Sequence, residues 1–256
     1  MQAEGKITKR RIRLYVQYDG TNYHGWQVQN NGITIESELN RSIRELTGEE
    51  ILVIGASRTD SGVHALCNVA VFDTESRIPP EKFCHALNAK LPEDIRITRS
   101  DEVPDDWHPR KRKAGKIYEY RICTSEILPP TKRLYCHHVY RKLNLEAMRE
   151  AAEYLVGEHD FKSFCQEGAQ VLTTVREITG LTILEKNDES ELIIRVEGNG
   201  FLYNMVRIIV GTLLEVGYGR LRPEDMKTIL ERKDRSAAGP TAPAKGLILK
   251  EITFYE

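Results

Sequence analysis

The sequence has 256 residues, of which 40% are hydrophobic and 29% charged, and its formal net charge is −1. A chain of this length can form one large domain or two modest ones and can bury most of the surface that its unfolded form exposes. The composition excludes a disordered or fibrous protein, and the net charge alone gives no indication of a polyanionic partner.

The sequence shows no signal for export or membrane insertion. Segment 1–11 carries charges without an apolar stretch, so we expect the protein to stay in the cytoplasm. The longest apolar run, 201–214, contains Asn204 and Arg207 and is shorter than the roughly 20 residues that span a bilayer. We therefore expect no membrane helix.

The five cysteines are scattered and never form a Cys-x-x-Cys pair, which predicts buried free thiols instead of disulfides or structural zinc. The run 136–138, Cys-His-His, could indicate a metal site. Adjacent positions on a strand point to opposite faces, however, so these residues would serve one ion poorly.

Alternating strands and helices are predicted in the first part of the chain. Apolar residues alternate from Ile12 to Tyr18, the period of a half-buried strand. Apolar residues then recur at helical spacing from 35 to 46, with Thr34 as a plausible N-cap and Gly48 as a stop signal. Further strands are predicted at 51–54, 68–73 and 95–99, and a second helix from 79 to about 91.

The second part of the chain is again predicted to contain both strands and helices. Strands are predicted near 116–124, 134–140, 175–185, 191–197 and 247–255, and helices near 144–157, 203–217 and 223–233. Mixed elements with neighbouring strands paired predict an α+β protein with helices on one side of its sheets.

Basic charge is concentrated between His108 and Arg121. This stretch has six basic residues, the single acid Glu119 and two tyrosines. Basic residues interleaved with aromatics can bind phosphates and stack on bases. An isolated run of this kind is more often a solvated charged loop, and on its own we would favour that interpretation.

Small residues surround two charged ones in the segment from Gly55 to His64. Glycine, alanine and serine remove bulk around Arg58 and Asp60, which allows a sharp backbone turn and close approach of a ligand. The alternative is that 60–62, Asp-Ser-Gly, is only a turn, since these residues are common turn formers. From the residues alone, the turn is the better interpretation.

The residue sequence of this segment resembles a known active-site signature. Gly55-Ala-Ser-Arg-Thr-Asp-Ser-Gly-Val-His64 is similar to that of the tRNA pseudouridine(38-40) synthase family, TruA. The segments 18–27, 88–95, 116–120, 159–164 and 205–211 resemble further family motifs in the family's order, so the similarity covers nearly the whole chain. The sequence departs from the family signature in two small ways. Ser57 stands where the family commonly has glycine, and Ser61 stands where it commonly has alanine.

The resemblance implies a fold, an activity and partners. It implies two similar α/β subdomains, 1–105 and 106–256, with mainly antiparallel sheets, helices on one side and a basic active-site cleft between them. The implied activity is isomerisation of uridine to pseudouridine at positions 38, 39 and 40 of the tRNA anticodon stem-loop. The reaction needs no cofactor or metal, and the implied partners are tRNA and a second copy of the chain, with neither DNA nor a membrane.

By the same resemblance, Asp60 in the first subdomain is the catalytic carboxylate. Arg207 adds a clue of its own, because a helical guanidinium among apolar residues should need an anionic partner, and Asp60 is the natural one. The alternative is that the long arginine stem reaches solvent or pairs with another carboxylate. Whether Asp60 attacks the base, attacks C1′ or removes a proton from C2′ stays open.

Three further residues are implied to bind the substrate. Tyr118 corresponds to the tyrosine that stacks on the target base, while Tyr120 is expected to be structural. Leu247 resembles an apolar pocket wall, although it could equally be a core residue of the last strand. Arg58 resembles an arginine that contacts RNA and helps to hold the flipped nucleotide. His24, His64 and His108 are interpreted as structural.

Two other functions remain possible from the sequence. A non-catalytic RNA-binding protein would keep the basic cleft without chemistry, but nothing in the sequence indicates a disabled site. A phosphate hydrolase with Asp60 as nucleophile ranks far behind, because no glycine-rich phosphate loop or cluster of metal-binding carboxylates accompanies it.

Overall fold

The computed structural model describes residues 9–168, 171–186 and 190–255. The chain divides into two compact units, of which the first ends at Lys113 and the second is Ala114–Tyr255. This division falls somewhat after the predicted boundary at 105–106.

The first unit is built around an antiparallel sheet. Its elements are β1 (Arg10–Tyr18), α1 (Ile35–Thr47), β2 (Ile54–Gly55), β3 (His64–Thr74), α2 (Phe83–Asn88) and β4 (Ile95–Val103). Strand β1 lies between β3 and β4 and is antiparallel to both, while the short β2 pairs with β3. Helix α2 packs against β4.

Strand β1 shows the predicted alternation. Ile12, Leu14 and Val16 are fully buried on one face. On the other face, Arg11 donates two hydrogen bonds of 2.7 Å to Asp73, which lies directly across on β3. The register that places Arg11 opposite Asp73 is the same register that buries the apolar face of β1. Both faces of the strand therefore stabilise the same pairing of β1 with β3.

Helix α1 begins and ends at the predicted signals. The Thr34 hydroxyl accepts from the Ser37 backbone N–H, and the Ser37 hydroxyl in turn accepts from the Thr34 N–H, which forms a capping box. Gly48 takes the left-handed conformation, with φ 77°, and donates its N–H to the Arg44 carbonyl. The prediction of this helix is confirmed.

The second unit contains a longer mixed set of elements. They are β5 (Ala114–Cys123), β6 (His137–His138), α3 (Leu145–Glu153), β7 (Gly157–Asp160), β8 (Val175–Lys186), β9 (Glu191–Gly198), α4 (Met205–Gly217), α5 (Asp225–Arg232) and β10 (Leu247–Phe254). The strands follow the order β10-β5-β9-β8-β7 with antiparallel neighbours, and β6 runs parallel to the end of β5. The predicted α+β fold with mainly antiparallel sheets is therefore confirmed.

Four predicted elements differ from the structure. The helix predicted from 79 to about 91 is an α-helix only over Phe83–Asn88, preceded by a 3₁₀ turn at Pro80–Lys82. The strand predicted at 51–54 is wrong except at its last residue, because the Val53 N–H donates to the Asn40 side chain of α1 instead of joining a ladder, and Leu52 is 80% exposed. The strand predicted at 134–140 shrinks to β6. The helix predicted to 157 ends at Glu153, and Gly157, with φ 106°, begins the unpredicted strand β7.

The five cysteines are free thiols, four of them buried, as predicted. Within the described residues, no helix is long and apolar enough to cross a membrane.

Helix α4 lies almost completely buried beneath the segment 237–246, and Gly211 makes their close approach possible. A Cβ added at Gly211 would lie 1.7 Å from the Pro240 carbonyl oxygen, a backbone atom that cannot turn aside. We expect Gly211→Ala to lower the free energy of unfolding by about 1–3 kcal/mol, the usual cost of overpacking. Urea unfolding measures this change.

The matched control is Gly180→Ala in β8. A Cβ at that position would be 3.7 Å from its nearest neighbour, the Glu197 side chain, an ordinary contact. The control should unfold close to the wild type, and equal destabilisation of the two variants would contradict the role given to Gly211.

Candidate active site

The side chains of segment 57–60 alternate between buried and less buried positions. Ser57 and Thr59 are buried, whereas Arg58 is exposed and Asp60 is half-buried. This alternation has the period of two that is typical of extended backbone. Arg58 and Asp60 therefore point away from the core of the first unit, with Thr59 between them as the anchor.

Thr59 is fixed through both its main chain and its side chain. Its carbonyl accepts a hydrogen bond of 3.0 Å from the Trp26 N–H, and its hydroxyl lies 2.8 Å from the Tyr18 hydroxyl. The Asn68 amide donates to the Tyr18 hydroxyl over 3.3 Å and to the Ser57 carbonyl over 2.9 Å. Buried groups with satisfied hydrogen bonds hold one geometry, so this network defines where Arg58 and Asp60 are presented.

The motif 18–27 wraps closely around the loop, and two glycines permit it. A Cβ at Gly20 would lie 2.0 Å from the Val63 carbonyl oxygen, and one at Gly25 would lie 2.6 Å from the Thr59 carbonyl oxygen. Gly25 also has a φ of 83°, which favours glycine. The two segments that resemble family motifs are therefore packed as one structural piece.

Directly after segment 57–60, the backbone reverses. The Val63 N–H donates to the Asp60 carbonyl over 3.1 Å, and Gly62 between them has a φ of 77°. The turn interpretation was correct for the backbone of 60–63. It does not account for the anchored segment before the turn, which presents two charged side chains.

His64 has structural contacts, as predicted. The Gly20 N–H donates to its Nδ1 over 3.1 Å, and Asp19 Oδ1 lies 3.1 Å from the same nitrogen. Nδ1 can accept from Gly20 or donate to Asp19 but not both at once, and either bond ties the residues after β1 to the start of β3.

In the second unit, Tyr118 and Tyr120 are both buried in β5 but have different surroundings. The Tyr118 ring packs edge-on against Phe201, with centroids 5.2 Å apart. Tyr120 donates its hydroxyl to the Pro243 carbonyl over 2.8 Å. Burial raises the pKa of Tyr120 above its usual range, so this hydroxyl stays a donor. The expectation that Tyr120 is structural agrees with these contacts.

Arg207 on α4 is oriented by two directed hydrogen bonds. Its Nε donates to the Ala242 carbonyl over 2.8 Å, and its Nη1 donates to Asn204 Oδ1 over 2.7 Å. Asn204 precedes the helix in a left-handed conformation, with φ 59°, and uses its side chain on Arg207 instead of capping the helix. The guanidinium is therefore held in place within its own unit.

The small-residue segment 237–246 connects these parts of the second unit. It supplies both the Ala242 and the Pro243 carbonyls, and Arg235 fixes it through the Gly239 carbonyl and the Thr241 hydroxyl. Leu247 follows as the first residue of β10, buried and directly across from Tyr120. This position fits both an apolar pocket wall and a core residue.

The predicted residues are thus distributed over the two units. Arg58 and Asp60 lie in the first, and Tyr118, Arg207 and Leu247 lie in the second. Sequence reasoning did not identify the supporting residues Tyr18, Asn68 and Asn204. Two of these left a signal, since Asn68 interrupts an apolar strand and Asn204 precedes Arg207 by three positions in an apolar run. In the described parts of the chain, no group of three or more metal-binding side chains converges.

Comparisons with known proteins show the family of this chain. A family model described as tRNA pseudouridine synthase matches residues 14–110 and 151–255. A Clostridium tetani protein named tRNA pseudouridine synthase A 2 is 53% identical, covering 96% of this chain and 99% of the relative. A tRNA pseudouridine synthase A of Thermoanaerobacter sp. (strain X514) is 48% identical over 96% of this chain and its own full length.

Among solved structures, an H/ACA RNP bound to a substrate RNA containing 2′-deoxyuridine aligns over 79% of this chain and 44% of that chain. The sequence identity is 15% and the TM-score 0.34, which is too low to define a shared fold.

The family match and the relatives define the class as RNA-modifying isomerases that act on tRNA. This chain belongs to the tRNA pseudouridine synthase family. The predicted resemblance and enzyme class are confirmed.

Proposed function

We propose that this chain isomerises uridine to pseudouridine at positions 38, 39 and 40 of the tRNA anticodon stem-loop, with Asp60 as the catalytic carboxylate. The observation that carries the proposal is the anchored segment 57–60. Thr59 is anchored there by main-chain and side-chain hydrogen bonds, so that Asp60 is presented from a rigid element. A carboxylate used as nucleophile or base requires such positioning.

The reaction breaks the bond between N1 and C1′, turns the detached base and forms a bond between C5 and C1′. The proton on C5 is lost and N1 gains one, so no electrons are exchanged with another molecule. The enzyme must supply a carboxylate, expose the base and retain it after detachment. No redox cofactor or metal ion is needed for these steps.

The other predicted residues receive roles that fit their positions. Arg207 pairs with the Asp60 carboxylate and keeps it ionised as substrate binding excludes water. Tyr118 stacks on the target base, Leu247 forms the apolar wall of its pocket, and Arg58 grips the RNA beside the flipped nucleotide. Flipping costs a few kcal/mol of stacking and pairing, which an arginine contact offsets in part.

The proposal includes the architecture around the site. Two similar subdomains with helices on one side flank a basic cleft, and a homodimer in the cytoplasm binds one tRNA across both copies. The exposed run Arg110, Lys111, Arg112 and Lys113 at the end of the first unit supports a polyanionic partner.

The direct test uses tRNA transcripts labelled with tritium at C5 of uridine. Wild-type protein should release tritium from transcripts that retain uridine at 38, 39 or 40. It should release none once all three positions are replaced by cytidine. Absence of release from the first set would refute the proposed function, and release from the second would refute the assigned positions.

Removing the Tyr118 ring tests the proposed contact with the base. Stacking on an aromatic side chain contributes about 1–3 kcal/mol per base, so Tyr118→Ala should lower kcat/KM by about 10- to 100-fold. Single-turnover assays on tRNA measure the loss. The control is Tyr120→Phe, which deletes only the hydrogen bond to Pro243 and should leave kcat/KM close to the wild-type value. Equal losses in the two variants would argue against stacking by Tyr118.

A further inference from the structure

Arg176, near the start of β8, is a half-buried arginine that the proposed mechanism does not use. Its Nη1 donates to two backbone carbonyls, that of Thr173 over 3.0 Å and that of Val175 over 2.6 Å. Within the described residues, its Nε and Nη2 donate no hydrogen bond to another protein group. The guanidinium is thus fixed on one side while two of its nitrogens remain available to a ligand.

The charge of Arg176 is not balanced by any carboxylate that the structure describes. Among the described residues, no carboxylate forms an ion pair with it, and only the Cys165 thiol raises its pKa, while burial lowers that pKa from the ordinary value. Most arginines with fixed geometry in this chain lie against carboxylates, as Arg149 does against Glu185. A partly desolvated cation without a counter-charge is a cost to the folded chain, which a bound anion would remove.

The position of Arg176 relates it to the proposed substrate site. Gly200 faces its side chain, because a Cβ added there would lie 3.7 Å from Arg176 Nε. Gly200 belongs to the connection 199–204 between β9 and α4. The same connection carries Phe201, whose ring contacts Tyr118, and Asn204, which holds Arg207. One short connection thus contacts Tyr118 and Arg207 and passes beside Arg176.

We infer that Arg176 binds a backbone phosphodiester of the tRNA next to the target uridine, through Nε and Nη2. The inference rests on the proposed function, in which Tyr118 stacks on the target base. Guanidinium groups bind phosphate oxygens through pairs of parallel N–H donors, and Arg176 presents one such pair. Gly200 leaves room beside that pair for the RNA backbone. Arg176 is a positioning residue, because it holds the nucleotide chain and not the reacting atoms.

The competing explanation is that Arg176 only fixes the backbone at 173–175. The variant Arg176→Gln separates the two roles, because its amide can still donate to a carbonyl while the positive charge is lost. Arg176→Ala removes both properties. The control is Arg222→Ala, which deletes a cation of the same unit that is already paired with Asp225 and is 73% exposed.

The experiment measures tRNA binding and turnover over a series of salt concentrations. We expect Arg176→Ala and Arg176→Gln each to raise KM by about 10-fold, with a smaller change in kcat, and to reduce the slope of log K against log salt by about 1. Arg222→Ala should keep the wild-type KM and slope. A wild-type KM and slope for Arg176→Gln would overturn the inference.

A second measurement identifies the phosphate itself. Full-length tRNAs are ligated so that each carries one neutral methylphosphonate linkage near the target uridine. At one position, the methylphosphonate should weaken tRNA binding to the wild-type protein about as much as Arg176→Ala weakens binding of unmodified tRNA. The same methylphosphonate should not weaken binding to the Arg176→Ala variant any further. If every methylphosphonate weakens binding to the Arg176→Ala variant as much as it weakens binding to the wild type, the inference is wrong. Because wild-type turnover of unmodified tRNA is recorded first, a failure of the proposed function is recognised separately.

Discussion

Asp60→Asn should lower kcat/KM for pseudouridine formation by about 10⁴-fold, the upper range for the loss of a group that acts directly on the reacting atoms. Asparagine has nearly the same shape as aspartate but cannot act as nucleophile or base. Its backbone keeps the turn bond from the Val63 N–H, so folding should be unchanged. Tritium release from C5-labelled tRNA measures the activity, and a filter-binding assay measures the affinity for tRNA.

The control for this variant is Ser61→Ala at the neighbouring position. Ser61 donates its hydroxyl to the Tyr23 carbonyl over 3.2 Å and is exposed, so its loss should affect activity little. Retained turnover in Asp60→Asn, or loss of tRNA affinity as large as the loss of turnover, would remove Asp60 from the catalytic role.

Arg207→Lys should lower kcat/KM by about 100-fold or more, the usual effect of deleting one positioned donor from an active site. Lysine keeps the charge but cannot donate in two fixed directions, to the Ala242 carbonyl and to Asn204, at once. If Arg207 keeps Asp60 ionised, a less well placed charge stabilises the carboxylate less. The acid limb of the pH–rate profile should then move to higher pH.

Arg235→Lys is the matched control, because Arg235 also holds the segment 237–246 but through Gly239 and Thr241. It should leave the acid limb where it is in the wild type. If both variants lose the same activity without a shift of the acid limb, Arg207 acts only by holding this segment, and the proposed pair with Asp60 is wrong.

Sequence signals predicted correctly those elements that are stabilised by contacts between residues close together in the sequence. Helix α1 was predicted with both of its caps, because Thr34 and Gly48 act on their immediate neighbours. The strand expected at 51–54 failed for the opposite reason. Its apolar composition fits a strand, but the Val53 N–H is taken by Asn40 of α1, a contact that only the tertiary structure creates. Strand β7 was missed because four residues, 157–160, are too few for a periodic pattern.

The candidate site was predictable only where residues form a recognisable string. The segment 55–64 indicated Arg58 and Asp60 through its resemblance to a family motif. Residues that hold the site from a distant part of the sequence, such as Tyr18 beside Thr59, act by side-chain contacts that no spacing rule anticipates. The role of Arg176 could not be predicted either, since only the folded chain shows that no carboxylate among the described residues pairs with it.

The double anchoring of Thr59 makes this loop unusually suitable for dissection. Its neighbours at 58 and 60 contribute side chains that leave the core of the unit, while the core itself is held by Thr59, Tyr18 and Asn68. A replacement at either flanking position therefore changes one functional group and preserves the frame around it. Loss of activity there can be assigned to chemistry, whereas loss at Thr59 would mix chemistry with collapse of the frame.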